Sequence, residues 1–132
     1  MRLLAGIVGA FLLAAPASAM RPADPNNYRG VWIIKGEAGE ARCLATLSPD
    51  SSPGAPGWGL ALADDCPKAF RIPPGLTRWH VAPVNSALVL SDAKGKPGVT
   101  FEYQPDGTFM TPKRRGGKLR LLWDKTLNPG IE

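Results

Sequence analysis

The chain has 132 residues, with 16 Lys and Arg against 11 Asp and Glu and a formal net charge of +5. That length suits one domain with a modest core, and one His with two Cys leaves too few ligands for a structural zinc set. The positive charge favours acidic surfaces in general, whether protein, anionic lipid or polyanion, without choosing among them.

Residues 1–19 read M-R-L-L-A-G-I-V-G-A-F-L-L-A-A-P-A-S-A. One Arg, an apolar run and a small-residue site at Ala17-Ser18-Ala19 make the pattern of a secretory signal peptide. The run is shorter than the roughly 20 apolar residues a membrane span needs, and no basic flank follows to stop transfer. No Cys stands just after the site to accept a lipid. Cleavage after Ala19 is expected to leave a chain beginning at Met20, and export argues against a nucleic-acid partner. Two cysteines in an exported chain most simply form one bridge, Cys43–Cys66. Free thiols would instead imply a chain that stays inside the cell.

Residues 20–28 carry two prolines and an Asn pair and are expected to form an extended arm. Strands follow at 29–35, 40–47, 58–63, 78–81, 87–90, 99–103, 108–111 and 118–123. In 58–63, Trp58, Leu60 and Leu62 share one face at period 2. Between them lie turn signals: Gly36 and Gly39, the Pro/Ser/Gly loop 48–57, Asp92-Ala93-Lys94-Gly95, Pro105-Asp106-Gly107 and Gly116-Gly117. Residues 64–70 suit one helical turn with Asp64 and Asp65 at its start. Residues 124–132 read as a polar tail. Short strands at this spacing, with no convincing helix after the leader, predict an antiparallel sandwich or barrel. Closure is preferred because so few strands would otherwise expose their edges.

Catalytic constellations are missing from this order. His80 is alone beside Trp79, Asp64 and Asp65 are neighbours that point apart, and the serines of 48–52 have no placed base. No phosphate loop opens a helix. An enzyme is not expected, nor a cofactor or a metal site of its own. Trp32, Trp58 and Trp79 could line a ligand cavity, but side chains alone can fill a small barrel. Lys113, Arg114, Arg115, Lys118 and Arg120 form a basic hairpin, which is either a solvated turn or a rim for an acidic partner.

Several residues, in order, resemble one family: Gly30-Val31-Trp32, Cys43 with Leu44 and Leu47, Trp58-Gly59-Leu60-Ala61-Leu62, Cys66-Pro67 and Trp79. Leu88-Val89-Leu90, Asp92-Ala93-Lys94-Gly95, Phe101, Asp106-Gly107-Thr108-Phe109 and Gly117-Lys118-Leu119-Arg120-Leu121 continue the match over residues 28–123. Together they are similar to the bacterial Inh family of periplasmic metalloprotease inhibitors, which includes the alkaline protease inhibitors and related outer-membrane lipoprotein inhibitors. The resemblance implies an eight-stranded antiparallel β-barrel with one disulfide, preceded by a signal peptide and the extended arm. It implies a periplasmic chain whose partner is a secreted zinc metalloprotease of the serralysin type. It also implies that the arm enters the protease cleft, a role that falls here on Met20, Arg21, Pro22 and Ala23. The arm of this chain starts Met-Arg, where soluble members start with small hydroxyl residues, and the acylated Cys of the lipoprotein branch is absent.

The resulting division is a signal peptide over 1–19, an arm over 20–28, an inhibitor barrel over 29–123 and a tail over 124–132. A monomer is expected, with peripheral outer-membrane association as a further expectation. The rival reading is a ligand-binding or membrane-associated barrel without inhibitory activity. A cavity among the three tryptophans would favour the rival, and a filled barrel with a projecting arm the inhibitor.

Overall fold

Short runs rich in apolar residues, separated by turn residues, become eight antiparallel strands in the computed structural model, which describes residues 23–37, 39 and 41–131. They are β1 (Gly30–Gly36), β2 (Arg42–Leu47), β3 (Trp58–Leu62), β4 (Leu76–Val81), β5 (Leu88–Asp92), β6 (Pro97–Tyr103), β7 (Phe109–Met110) and β8 (Leu119–Trp123). Each strand pairs with the next, and β8 returns to β1 through Trp32↔Trp123 to Gly36↔Leu119, so the sheet is a closed barrel. Closure removes the free edges that a strand series of this size would otherwise present. A short helix, α1 (Cys66–Phe70), lies in the connection from β3 to β4.

Alternation sets what fills the barrel. In β2, Cys43, Ala45 and Leu47 are buried while Arg42, Leu44 and Thr46 are exposed, the period-2 pattern of a strand with one wet face. Ile34, Leu47, Leu88, Leu90, Leu119, Leu121, Trp79 and Phe101 are fully buried and join one cluster. Each aliphatic member contributes roughly 2 kcal/mol by leaving water. Trp58 and Trp79 are register partners on facing strands, and their rings lie 4.8 Å apart inside the wall. The tryptophans therefore pack as core. Trp79 is fully buried with its Nε1–H donating to the Ser48 carbonyl at 2.9 Å.

The disulfide joins Cys43 at the start of β2 to Cys66 at the start of α1, with Cα atoms 5.5 Å apart. It pins a five-residue helix that is too short to persist alone. Asp65 occupies the N-cap of α1 but makes no side-chain cap bond. Arg114 holds the other end of the helix: its guanidinium donates to the carbonyls of Phe70 (3.0 Å) and Arg71 (2.9 Å).

Three turns are built around aspartates. Asp92 Oδ1 accepts from the Lys94 and Lys96 N–H groups at 2.9 Å each. Asp106 Oδ1 accepts from the N–H and hydroxyl of Thr108, and Asp124 Oδ1 from the same two groups of Thr126. The Lys96 N–H in the first case, and the threonine hydroxyls in the other two, lead in holding the carboxyls below their ordinary value of 3.8. A carboxylate depressed by folding contributes stability that is complete above the unfolded value and is lost as pH falls through the lower folded one. Denaturant midpoints are therefore expected to hold steady above about pH 5 and to fall below about pH 4. The triple variant Asp92→Asn, Asp106→Asn, Asp124→Asn should show a shallower fall in the same urea titrations. An unchanged acid slope would show that these turns do not set it.

Two segments differ from their reading in the sequence. Pro25–Asn27 winds into a 3-10 turn rather than continuing extended, because Asp24 caps it by accepting from the Asn26 N–H. The segment after Asp124, read as a polar tail, is folded onto the barrel. It forms a second 3-10 turn, Lys125–Leu127, and buries Asn128. The Asn128 side chain satisfies backbone groups of β1 that β8 no longer reaches, which a solvated tail would leave to water.

Candidate functional site

Strand direction divides the barrel into two ends. The start of β1, and with it the arm, lies at the end where β2, β4, β6 and β8 finish. The disulfide, α1 and the 111–118 connection lie at the other. Of the residues expected to act in a protease cleft, Met20, Arg21 and Pro22 lie outside the described residues. Ala23 is described and half-buried, directly before the Asp24 cap. Cys43 and Cys66 are bonded at the far end, away from the arm, as scaffold.

The base of the arm is held rigidly. Tyr28 lies against Trp79 with ring centroids 5.9 Å apart, and its carbonyl accepts from Trp32 Nε1–H at 2.8 Å. Gly30 follows at φ +130°, a region where a side chain is strained, and an added Cβ would sit 2.6 Å from Asn128 Oδ1. Asn128 takes up both main-chain groups of Val31. Its Oδ1 accepts from the Val31 N–H (2.6 Å), while its Nδ2 donates to the Val31 carbonyl (3.0 Å) and the Asp124 carbonyl (2.7 Å). One side-chain amide thus adds a rung to the β1 ladder beyond the last residue of β8.

Around this base polar side chains such as Asn26, Asn27 and Arg29 share the surface with exposed apolar ones. Among the described residues the exposed large hydrophobic side chains are Leu44, on the outer wall, and Val84, Tyr103 and Leu127, all at the arm end. Val84 is 96 % exposed, on the connection between β4 and β5. The arm base lies between two grooves. One, of about 310 Å³, is lined by Asn27, Tyr28, Trp32, Ser86, Tyr103 and Phe109. The other, of about 260 Å³, includes Asn26, Arg29, Trp123 and Ile131. Exposed apolar groups gathered beside a fixed chain are the composition of a protein-docking surface. No three His, Cys, Asp or Glu side chains converge among the described residues, and His80 is half-buried in β4 opposite Val89.

The sequence model of the family described as Protease inhibitor Inh matches residues 23–122, which is nearly the whole described chain. The chain belongs to the Inh protease inhibitor family. No curated protein matches it. For a member of the Inh family the partner is a protease, and the family is one of inhibitors rather than enzymes. The matched span begins in the arm and closes within β8, so it takes in both the barrel and the arm base. The apolar rim of this Inh-family barrel was not found from its sequence. Val84, Tyr103 and Leu127 are separated by long stretches and share no motif, and only the barrel's topology brings them to one end. Tyr28 and Trp32 were visible as aromatic residues, but their role in fixing the arm depends on the position of Trp79.

Proposed function

We propose that this chain is a periplasmic, monomeric inhibitor of serralysin-type zinc metalloproteases, whose arm over 20–28 enters the protease cleft with Met20, Arg21, Pro22 and Ala23. The observation that carries the proposal is the immobilised arm base, Tyr28 against Trp79, standing at the end of the barrel where the exposed apolar side chains gather. Residues 1–19 act as the leader, and their removal creates the α-amino group of Met20. When neutral, that amine can ligate a catalytic zinc at its open position and displace the water that would attack substrate. Pro22 restricts the backbone of the arm and makes it a poor substrate, and a restricted segment has less entropy to lose on insertion. The filled interior argues against the ligand-binding alternative, since Trp58 and Trp79 occupy the space a ligand would need.

The test is inhibition of a serralysin-type protease by the chain from Met20, beside a version lacking Met20 to Asp24. Removing the arm is expected to weaken inhibition by about a hundredfold or more, the scale of losing a central binding element. The truncated barrel should melt as a folded protein. Acetylation of the Met20 amine should weaken inhibition comparably, because an amide nitrogen does not ligate zinc. Undiminished inhibition after truncation would overturn the arm mechanism and assign binding to the rim. No inhibition by either form would overturn the serralysin assignment.

A further inference from the structure

The end of the barrel opposite the arm is basic. Lys68 and Arg71 lie on and just after α1, and Lys113, Arg115 and Lys118 on the connection between β7 and β8. These two segments touch. Arg114 of the connection donates to the Phe70 and Arg71 carbonyls, and an added Cβ at Gly116 would lie 3.1 Å from Arg71 Cδ. Lys68, Arg71, Lys113 and Arg115 are exposed and Lys118 half-exposed. Glu37, whose N–H donates to the Lys118 carbonyl, is an acid whose backbone adjoins the cluster, while Asp64 and Asp65 stand before the opposite end of α1. Asp92 closes the β5–β6 turn at this same end beside Lys94 and Lys96, whereas at the arm end Asp24, Asp50, Asp106 and Asp124 stand with Arg29 and Lys125.

This concentration of charge is held in place at a cost. Arg71 terminates α1 at φ 53°, ψ 43°, the left-handed conformation that glycine adopts without strain. Arg114 is brought beside Arg71, and burial together with the like charge of Arg71 disfavours its charged form. Arg114 and the left-handed Arg71 thus hold the α1 and 111–118 segments, and the cations they carry, side by side. The kind of partner follows from what the cluster lacks. Among the described residues the exposed large hydrophobic side chains lie on the wall or at the arm end, so this end has no apolar anchor of the kind that dominates protein interfaces. Long, flexible cations without an anchor suit a diffuse anionic surface, where attraction sums over charges and needs no fitted shape.

We propose that this basic end docks the protein on an anionic lipid surface, with the arm facing away from the membrane. Docking rests on the placement of charge and stands independently of the protease reading. The bound orientation leaves the arm end open to solution.

The chain from Met20, which holds the whole barrel and omits the apolar leader that would itself enter lipid, is sedimented with vesicles of mixed phosphatidylglycerol and phosphatidylcholine, or of phosphatidylcholine alone. Binding is expected to the anionic vesicles only and to be lost at high salt, where screening shortens to a few ångströms. Lys113→Glu should lower the partition coefficient by roughly tenfold or more, since each cation near such a surface is worth about a factor of five and reversal counts twice. Lys125→Glu, the same charge change at the arm end, should lower it less than about twofold. Lys68→Glu, Lys113→Glu and Arg115→Glu combined should abolish binding while thermal melting stays unchanged, since all three side chains are exposed. Failure to bind anionic vesicles at low salt would overturn the lipid assignment and leave this end to an acidic protein. Equal losses for Lys113→Glu and Lys125→Glu would overturn the orientation.

Discussion

Replacing Cys43 and Cys66 together by alanine is expected to cost about 3 kcal/mol, the chain-entropy value for a loop closed across 23 residues. The buried cysteines also fill space, and the cavity left behind adds to the loss. For a domain of this size the melting temperature should fall by on the order of 10–20 °C. The damage is predicted to be uneven. The bridge is the covalent link between α1 and the barrel wall, and its loss leaves that helix to Arg114 and to the burial of Phe70 and Ile72. Amide exchange should therefore quicken first in residues 66–72, far from the arm. Inhibition measured below the new melting point should be little changed, because the arm base is held by Tyr28, Trp32 and Trp79 at the other end. A loss of stability spread evenly over all strands would show that the bridge acts through the unfolded chain alone.

Asn128→Leu should have the second large effect, about 2–3 kcal/mol, from three lost hydrogen bonds and the partly buried main-chain groups they leave unpaired. Leu keeps the branching of Asn, but its methyls are bulkier than the amide atoms 2.6–3.0 Å from the Val31 main chain, so Asn128→Ala beside it separates the lost amide from crowding. The Val31 amide is the local probe: its exchange should speed up by about 30- to 160-fold if opening there follows the loss of stability. Gly30 and Tyr28 lie immediately before Val31, so a loosened β1 end should also weaken inhibition, even though Asn128 is nowhere near the arm in sequence. Unchanged exchange at Val31 would show that water replaces the amide without penalty, and the clasp would then be incidental.

Much of this architecture was legible from local pattern. The alternation in R-C-L-A-T-L placed Cys43, Ala45 and Leu47 on the buried face, and W-G-L-A-L did the same for Trp58 and Leu60. Turn residues divided the strands where the chain does turn, at Asp92 to Lys96 and at Asp106-Gly107. With only two cysteines, the bridge had one possible partner set. Strand ends were less well marked. β4 begins at Leu76, two residues before the expected start, because the strand continues past an irregularity in its pairing with β5 between Leu76 and Arg78. The candidate site was legible only in part, since the arm is written in one continuous segment but the rim beside it is not.

Period 2 leaves direction open in β5, where Leu88, Val89, Leu90 and Ser91 are all buried, but in β2 each residue's inward or outward direction was determined by the sequence alone, because apolar and polar residues alternate there. So was the closing of turns, because an Asp or Gly acts on neighbours two to four residues away. The tertiary structure alone decided how the two ends differ. It set Tyr28 on Trp79, carried Val84, Tyr103 and Leu127 to the arm end, and gathered Lys68 and Arg71 with Lys113 and Arg115 at the other. It also turned Asn128 back onto Val31, 97 residues earlier. Contacts of that range leave no local signature, since any polar residue near the C-terminus would read as tail until closure of the barrel brings β1 beside it.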